Sequence, residues 1–193
     1  MIGEVLVFLK NHLNAKLAAS SGLSVDEVQE DQVVFVDGEN MDPMLFKLGA
    51  VSVLLLNIEE ENTLRPADPY RAVASDGSFF KVQPEIRMNL YVLFVARYKQ
   101  YEKGLNTLSQ IIQYLQKNRV LSHHNAPELS ATIERLIMEL TTLPFSEQNE
   151  IWNALRTTYH PSVLYKVKMV VMRDESPTPS IISQEKTLRT ASS

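Results

Sequence analysis

The sequence is 193 residues long, 45% hydrophobic, with a formal net charge of -4 and a pI near 5.6. That length supports one sizeable core rather than two, and its scattered Lys and Arg exclude the clustered basic surface that phosphate binding needs, so no nucleic-acid partner is expected. The absence of cysteine excludes a disulfide framework and thiolate metal ligands. No run of about 18 apolar residues is available to span a bilayer, so a soluble protein without a membrane partner is expected.

In chain order, Ile2, Val5, Leu6, Leu9, Leu13 and Leu17 recur at spacings of three and four. They predict an amphipathic helix ending near Ser20-Ser21-Gly22. The same stretch carries Glu4 and lacks a basic n-region and cleavage site, so no secretory leader is expected. The β-branched run Val33-Val34-Phe35-Val36 predicts a strand, stopped by the turn chemistry of Asp37-Gly38-Glu39-Asn40. Val51 to Ile58 is almost continuously apolar, which predicts a strand buried on both faces and ending at Glu59-Glu60-Glu61. Asn62 to Pro84 has prolines, an Asp76-Gly77 turn signal and no helical period. It is expected to be a long loop or protruding hairpin, and so a candidate for partner contact.

From Ile86 to Tyr98 the alternation keeps one face apolar throughout and the other only in its middle, the pattern of a long central strand. Leu105, Leu108, Ile111, Ile112 and Leu115 then form a helical stripe of about four turns, despite Gly104. His123 to Pro127 reads as a loop. Ile133 to Leu140 fits helix and strand alike by periodicity. Ser146 offers an N-cap oxygen for a helix carrying Trp152 and Leu155 inward, with Glu147 and Glu150 favoured by the helix dipole. Val163 to Met172 alternates again as a final strand. Asp174 to Ser193 has too little apolar content to fold alone and is expected to be a flexible tail. Two parts follow: 1–173 as a single folded domain and 174–193 as tail. The fold class is α+β, a mixed or antiparallel sheet with helices covering one face.

Chemical motifs are lacking. Six glycines form neither a phosphate loop nor a dinucleotide-binding turn, and no G-x-S-x-G elbow occurs. The tandem His123-His124 could suggest a metal or acid–base site, but adjacent side chains diverge and no further ligand stands at suitable spacing, so a solvated loop is expected. His12 and His160 are read as structural. Glu59-Glu60-Glu61 lacks the spaced oxygens and glycine of a calcium loop. Trp152 and Tyr159 could form a ligand platform, but Trp152 is read as a core anchor. The apolar stripe of the first helix suits sheet packing and a subunit interface equally. No catalytic, cofactor-binding or metal-binding residue is assigned, and no cofactor is expected.

Pro84 to Tyr98, the helix after it, and Leu143-Pro144 through Trp152 to Pro161-Ser162-Val163-Leu164-Tyr165 together carry a resemblance. The chain, from about Ile2 to Arg173, resembles the N-terminal domain of the tail terminator or cap proteins of contractile injection systems, of the antifeeding-prophage and Photorhabdus-virulence-cassette type. These are in turn similar to phage tail terminators. The resemblance implies a strand before Leu143-Pro144, which decides for strand at Ile133 to Leu140. It also implies a non-enzymatic structural protein: a homo-oligomer, as a hexameric ring, on the last layer of inner tube and sheath. That ring would cap the particle at the end distal to the baseplate, after assembly in the cytoplasm. The alternative is a tail or baseplate adaptor that forms no ring, and the rival class is a small enzyme with an unrecognised site.

Overall fold

The computed structural model describes residues 1–20, 30–36, 44–61, 71–73, 79–81 and 87–171. The expected turns at Asp37 to Asn40 and Asp76-Gly77, the end of the first helix at Gly22, Pro84 and the tail 174–193 lie outside them. One unit comprises 1–62 and 86–172. Its sheet has the order β1-β2-β5-β8-β7-β6, built from β1 (Val33–Phe35), β2 (Ala50–Glu60), β5 (Arg87–Arg97), β6 (Val120–Ser122), β7 (Ile133–Thr141) and β8 (Ser162–Val171). β1 runs parallel to β2 and every other pairing is antiparallel, so the sheet is mixed. Helices α1 (Ile2–Ser20), α2 (Tyr101–Lys117) and α3 (Phe145–Ala154) complete it. In the second unit, β3 (Arg71–Val73) and β4 (Phe79–Lys81) pair as an antiparallel two-stranded sheet, the hairpin expected between Asn62 and Pro84.

The core is divided by the sheet. On one face Val5, Leu9 and Leu13 of α1 and Leu108, Ile111 and Leu115 of α2 pack with Val51, Val53, Leu90, Val92, Phe94, Leu136, Val167 and Met169. Each such side chain, taken fully out of water, contributes about 1.5–3 kcal/mol against the entropy of ordering it. On the other face a smaller cluster joins Met44, Phe46, Leu93, Val95 and Leu164 to Trp152 of α3. The expectation that helices cover a single face is therefore corrected. The middle of β5 is apolar on both sides because it is roofed on both, and α3 is the second roof.

Three further readings are revised. Helix α3 starts at Phe145 with Pro144 as its N-cap and no side-chain cap, so Ser146 lies inside the first turn; the fixed proline φ suits a helix start, and Gln148 N–H reaches the Pro144 carbonyl at 3.0 Å. Strand β2 is fully buried only from Ala50 to Val53 and is exposed from Asn57 onward. The buried stripe of α2 is Gly104, Thr107, Leu108, Ile111 and Leu115, with Leu105 exposed. A Cβ on Gly104 would meet the Tyr98 ring at 3.3 Å and Ala96 Cβ at 3.5 Å. The helix-weakening residue thus brings the start of α2 close against β5.

A bulge interrupts the β2–β5 ladder between Leu55 and Asn57: Leu55 is opposite Val92, yet Asn57 is opposite Tyr91. One residue, Leu56, is extra on β2. Before it, odd-numbered residues such as Val53 face α1 and α2; after it, odd-numbered residues such as Glu59 face the opposite side, where Tyr91 lies.

Candidate interaction surfaces

The α3 face of the sheet has an aromatic half and a charged half. In the aromatic half, the Trp152 ring meets Phe46 edge-on at 6.1 Å, Tyr159 at 5.5 Å and His160 at 6.1 Å, while Phe46 meets His160 at 5.7 Å. Arg97 donates from Nη1 to the Phe46 carbonyl at 2.6 Å, tying the segment before β2 to the end of β5. Burial, with the Arg97 charge adding to it, depresses the His160 pKa below the ordinary histidine value and so favours the neutral ring. Trp152 is buried and is the core anchor expected of it; Tyr159 is 59% exposed and forms the outer margin of the cluster. Beside it, Leu48, Tyr98, Tyr101, Tyr159 and Pro161, together with Arg97 and His160, line a recess of about 360 Å³. Leu48 and Tyr101 are also exposed. Its lining is mainly aromatic and aliphatic, with Arg97 tied to the Phe46 carbonyl and His160 packed on Phe46 and Trp152, which suits protein contact better than chemistry.

In the charged half, Tyr91 donates to Glu59 at 2.8 Å, and Lys166 lies 3.8 Å from Glu59 and 5.4 Å from the centre of the Tyr91 ring. Glu139 pairs with Lys168 at 3.0 Å and with Arg119 at 3.4 Å. The register puts Tyr91 opposite Lys166 and Lys166 opposite Glu139, so opposite charges alternate across the strands. Glu59, from the triplet expected at a solvated strand end, is a member of this ladder rather than a cation ligand. Such partly exposed pairs each contribute little and fix geometry more than stability.

His12 is one of the buried polar side chains among the described residues. Its Nδ1 bonds the Glu128 carboxylate and its Nε2 lies 2.6 Å from the Tyr114 hydroxyl. The imidazole is buried, at 2% exposure. It links α1, α2 and the β6–β7 connection. The hydrogen bond from His12, the largest cause, holds the Glu128 carboxyl below the usual glutamate range. This is a structural histidine, as its place among the apolar positions of α1 suggested. Both nitrogens are engaged, so neither is presented to a substrate.

His123 and His124 are both exposed. His123 Nε2–H donates to the Ile133 carbonyl at 3.0 Å and so ties the turn after β6 to the start of β7. Among the described residues no group of three or more His, Asp or Glu side chains is placed to hold a metal. Nor is any helix among them long and apolar enough to cross a membrane. The recess was missed by sequence reasoning, because Leu48 and Tyr159 belong to two separate connections and Tyr101 to the first turn of α2, so they share no period.

The sequence pattern named Pvc16 N-terminal domain matches residues 4–183. The chain belongs to this family. Its fold is similar to that of the PVC sheath/tube terminator of an extracellular contractile injection system in the extended state, with a TM-score of 0.58 and 17% identity. That alignment covers 100% of this chain and 65% of the other, so this family member spans just under two thirds of that structure. The anti-feeding prophage tube-terminating cap aligns with a TM-score of 0.49 and 18% identity over 72% of this chain and 49% of that one. No curated protein matches.

Proposed function

We propose that this chain is a non-catalytic terminator of a contractile injection system. Six copies form a ring on the last layer of inner tube and sheath, at the end distal to the baseplate, and end polymerisation there. The observation that carries this reading is the family match over 4–183, supported by a fold likeness that extends over the whole chain. The chemistry is consistent with it. The largely apolar recess and the balanced charge ladder both suit protein partners, and head-to-tail contacts between identical subunits close into rings when the rotation permits.

The test is to mix the purified chain with tube and sheath proteins, image the products, and compare them with particles assembled without it. A six-fold ring at one end and particles of uniform length are expected. A chain that stays monomeric both alone and with tube and sheath, or that binds elsewhere on the particle without closing a ring, sinks the terminator reading; the second outcome identifies an adaptor.

A further inference from the structure

Both edges of the six-stranded sheet meet the same device. On β1, Val51 N–H donates to the Gln32 carbonyl at 2.8 Å. Backbone direction alternates along a strand, so the next residue, Val33, turns its N–H and C=O away from β2, toward the outside of the sheet. Both groups are bound by one side chain: Asn14 of α1 donates from Nδ2 to the Val33 carbonyl at 2.8 Å and accepts the Val33 N–H at Oδ1 at 2.8 Å. On β6, Met138 N–H donates to the Arg119 carbonyl at 2.8 Å, so the Val120 C=O and Ser122 N–H point outward. Asn125 donates from Nδ2 to the Val120 carbonyl at 2.8 Å and accepts the Ser122 N–H at Oδ1 at 2.8 Å.

A carboxamide has the donor and acceptor of a peptide unit. In each case it occupies the place that the backbone of an added strand would take. The edges would otherwise suit such pairing, since Phe35 and Val120 are exposed apolar residues on them. Lys10 of α1 reinforces the β1 side: its ammonium lies 3.5 Å from Asp31 and 5.7 Å from the centre of the Phe35 ring. The geometry points to Asn14 and Asn125 as paired edge guards, which keep a second copy of this chain from adding its own edge strand to the sheet. Self-association is thereby confined to surfaces other than the sheet edges. This inference stands independently of the terminator reading.

The test uses the full chain with Asn14→Ala, Asn125→Ala and the double substitution. In the unsubstituted protein the Val33 and Ser122 amides should be protected from hydrogen exchange although they face outward. Each substitution should accelerate exchange at its own amide by roughly two- to tenfold, the loss of one hydrogen bond. The double variant should form species whose size keeps growing with concentration and whose infrared spectrum gains intermolecular β-structure. A closed ring, by contrast, saturates at fixed size. If the double variant does not fold, Asn14→Leu with Asn125→Leu, neutral and close in size, removes the donor and acceptor without adding charge, and the same growth is expected. Unprotected Val33 and Ser122 amides in the unsubstituted chain, or a folded double variant with unchanged association, overturns the proposal.

Discussion

Trp152→Ala tests the second roof of the sheet. Trp152 is 5% exposed and is the only buried residue of α3. Truncating a buried aromatic costs about 3–5 kcal/mol, and here the edge-on contacts with Phe46, Tyr159 and His160 are lost with it. A ten-residue helix has little stability of its own, so α3 should leave the sheet once its anchor is gone. At about 2–4 °C per kcal/mol for a chain of this size, the midpoint of thermal unfolding should fall by roughly 6–20 °C. Circular dichroism gives that midpoint in both proteins. Emission from the single tryptophan of the unsubstituted chain should be blue-shifted and should move to the red on unfolding. A midpoint within about 2 °C of the original, the equivalent of at most 1 kcal/mol, would refute the reasoning and make Trp152 a contact residue instead.

Acid should weaken the His12–Glu128 contact. The Glu128 carboxyl lies below its ordinary value in the folded protein, so the stability it adds is complete above the unfolded value of about 4.3 and is lost as pH falls toward the folded one. The gap in midpoint between the original chain and Glu128→Gln should therefore narrow from pH 6 to pH 3, and a gap that stays constant argues against the linkage. Gly49 has φ +88, and a Cβ there would meet nothing within 4 Å; Gly49→Ala should cost about 1–2 kcal/mol through the backbone alone, and chemical denaturation showing no loss would contradict it. Ending the chain after Arg173 removes nothing from β8, which closes at Val171. Unfolding should be unchanged; if the segment after Arg173 reaches a neighbouring subunit or the sheath, capped particles become irregular in length, and equal capping by both chains would contradict that contact.

The elements with strong periodicity were legible in the sequence. The α1 stripe and the alternation of Val163 to Met169 identify their buried faces because packing repeats every 3.6 or 2 residues. Strand β7 was ambiguous on period alone, and the family resemblance decided it correctly. Strand β6 escaped because Val120, Leu121 and Ser122 are too few to show a period. The placing of α3 on the opposite face could not be read locally: one anchor, Trp152, says that a helix is buried but not against which side. His12 was recognised as structural from its position among apolar residues, yet its partners Tyr114 and Glu128 are 102 and 116 residues away. The roles of Asn14 and Asn125 left no trace in the pattern, because an asparagine on an amphipathic helix or in a turn looks like any solvent-facing one. Only the position of an edge strand gives it meaning.

Leu56 acts on strand β2 as a frameshift acts on a message. Parity counted from Val51 predicts that Glu59 points at the helices of the core; the extra residue reverses the count and delivers that carboxylate to Tyr91 and Lys166 instead. Absorbing Leu56 into a regular ladder, with the bulge flattened, would turn Glu59 toward the apolar interior, where an ion without a partner is costly. In family members whose strand is one residue shorter, the bulge should be absent and the acids should stand one position earlier, on the same face. Aligning such sequences by hydrophobic alternation alone would misplace every position beyond the bulge.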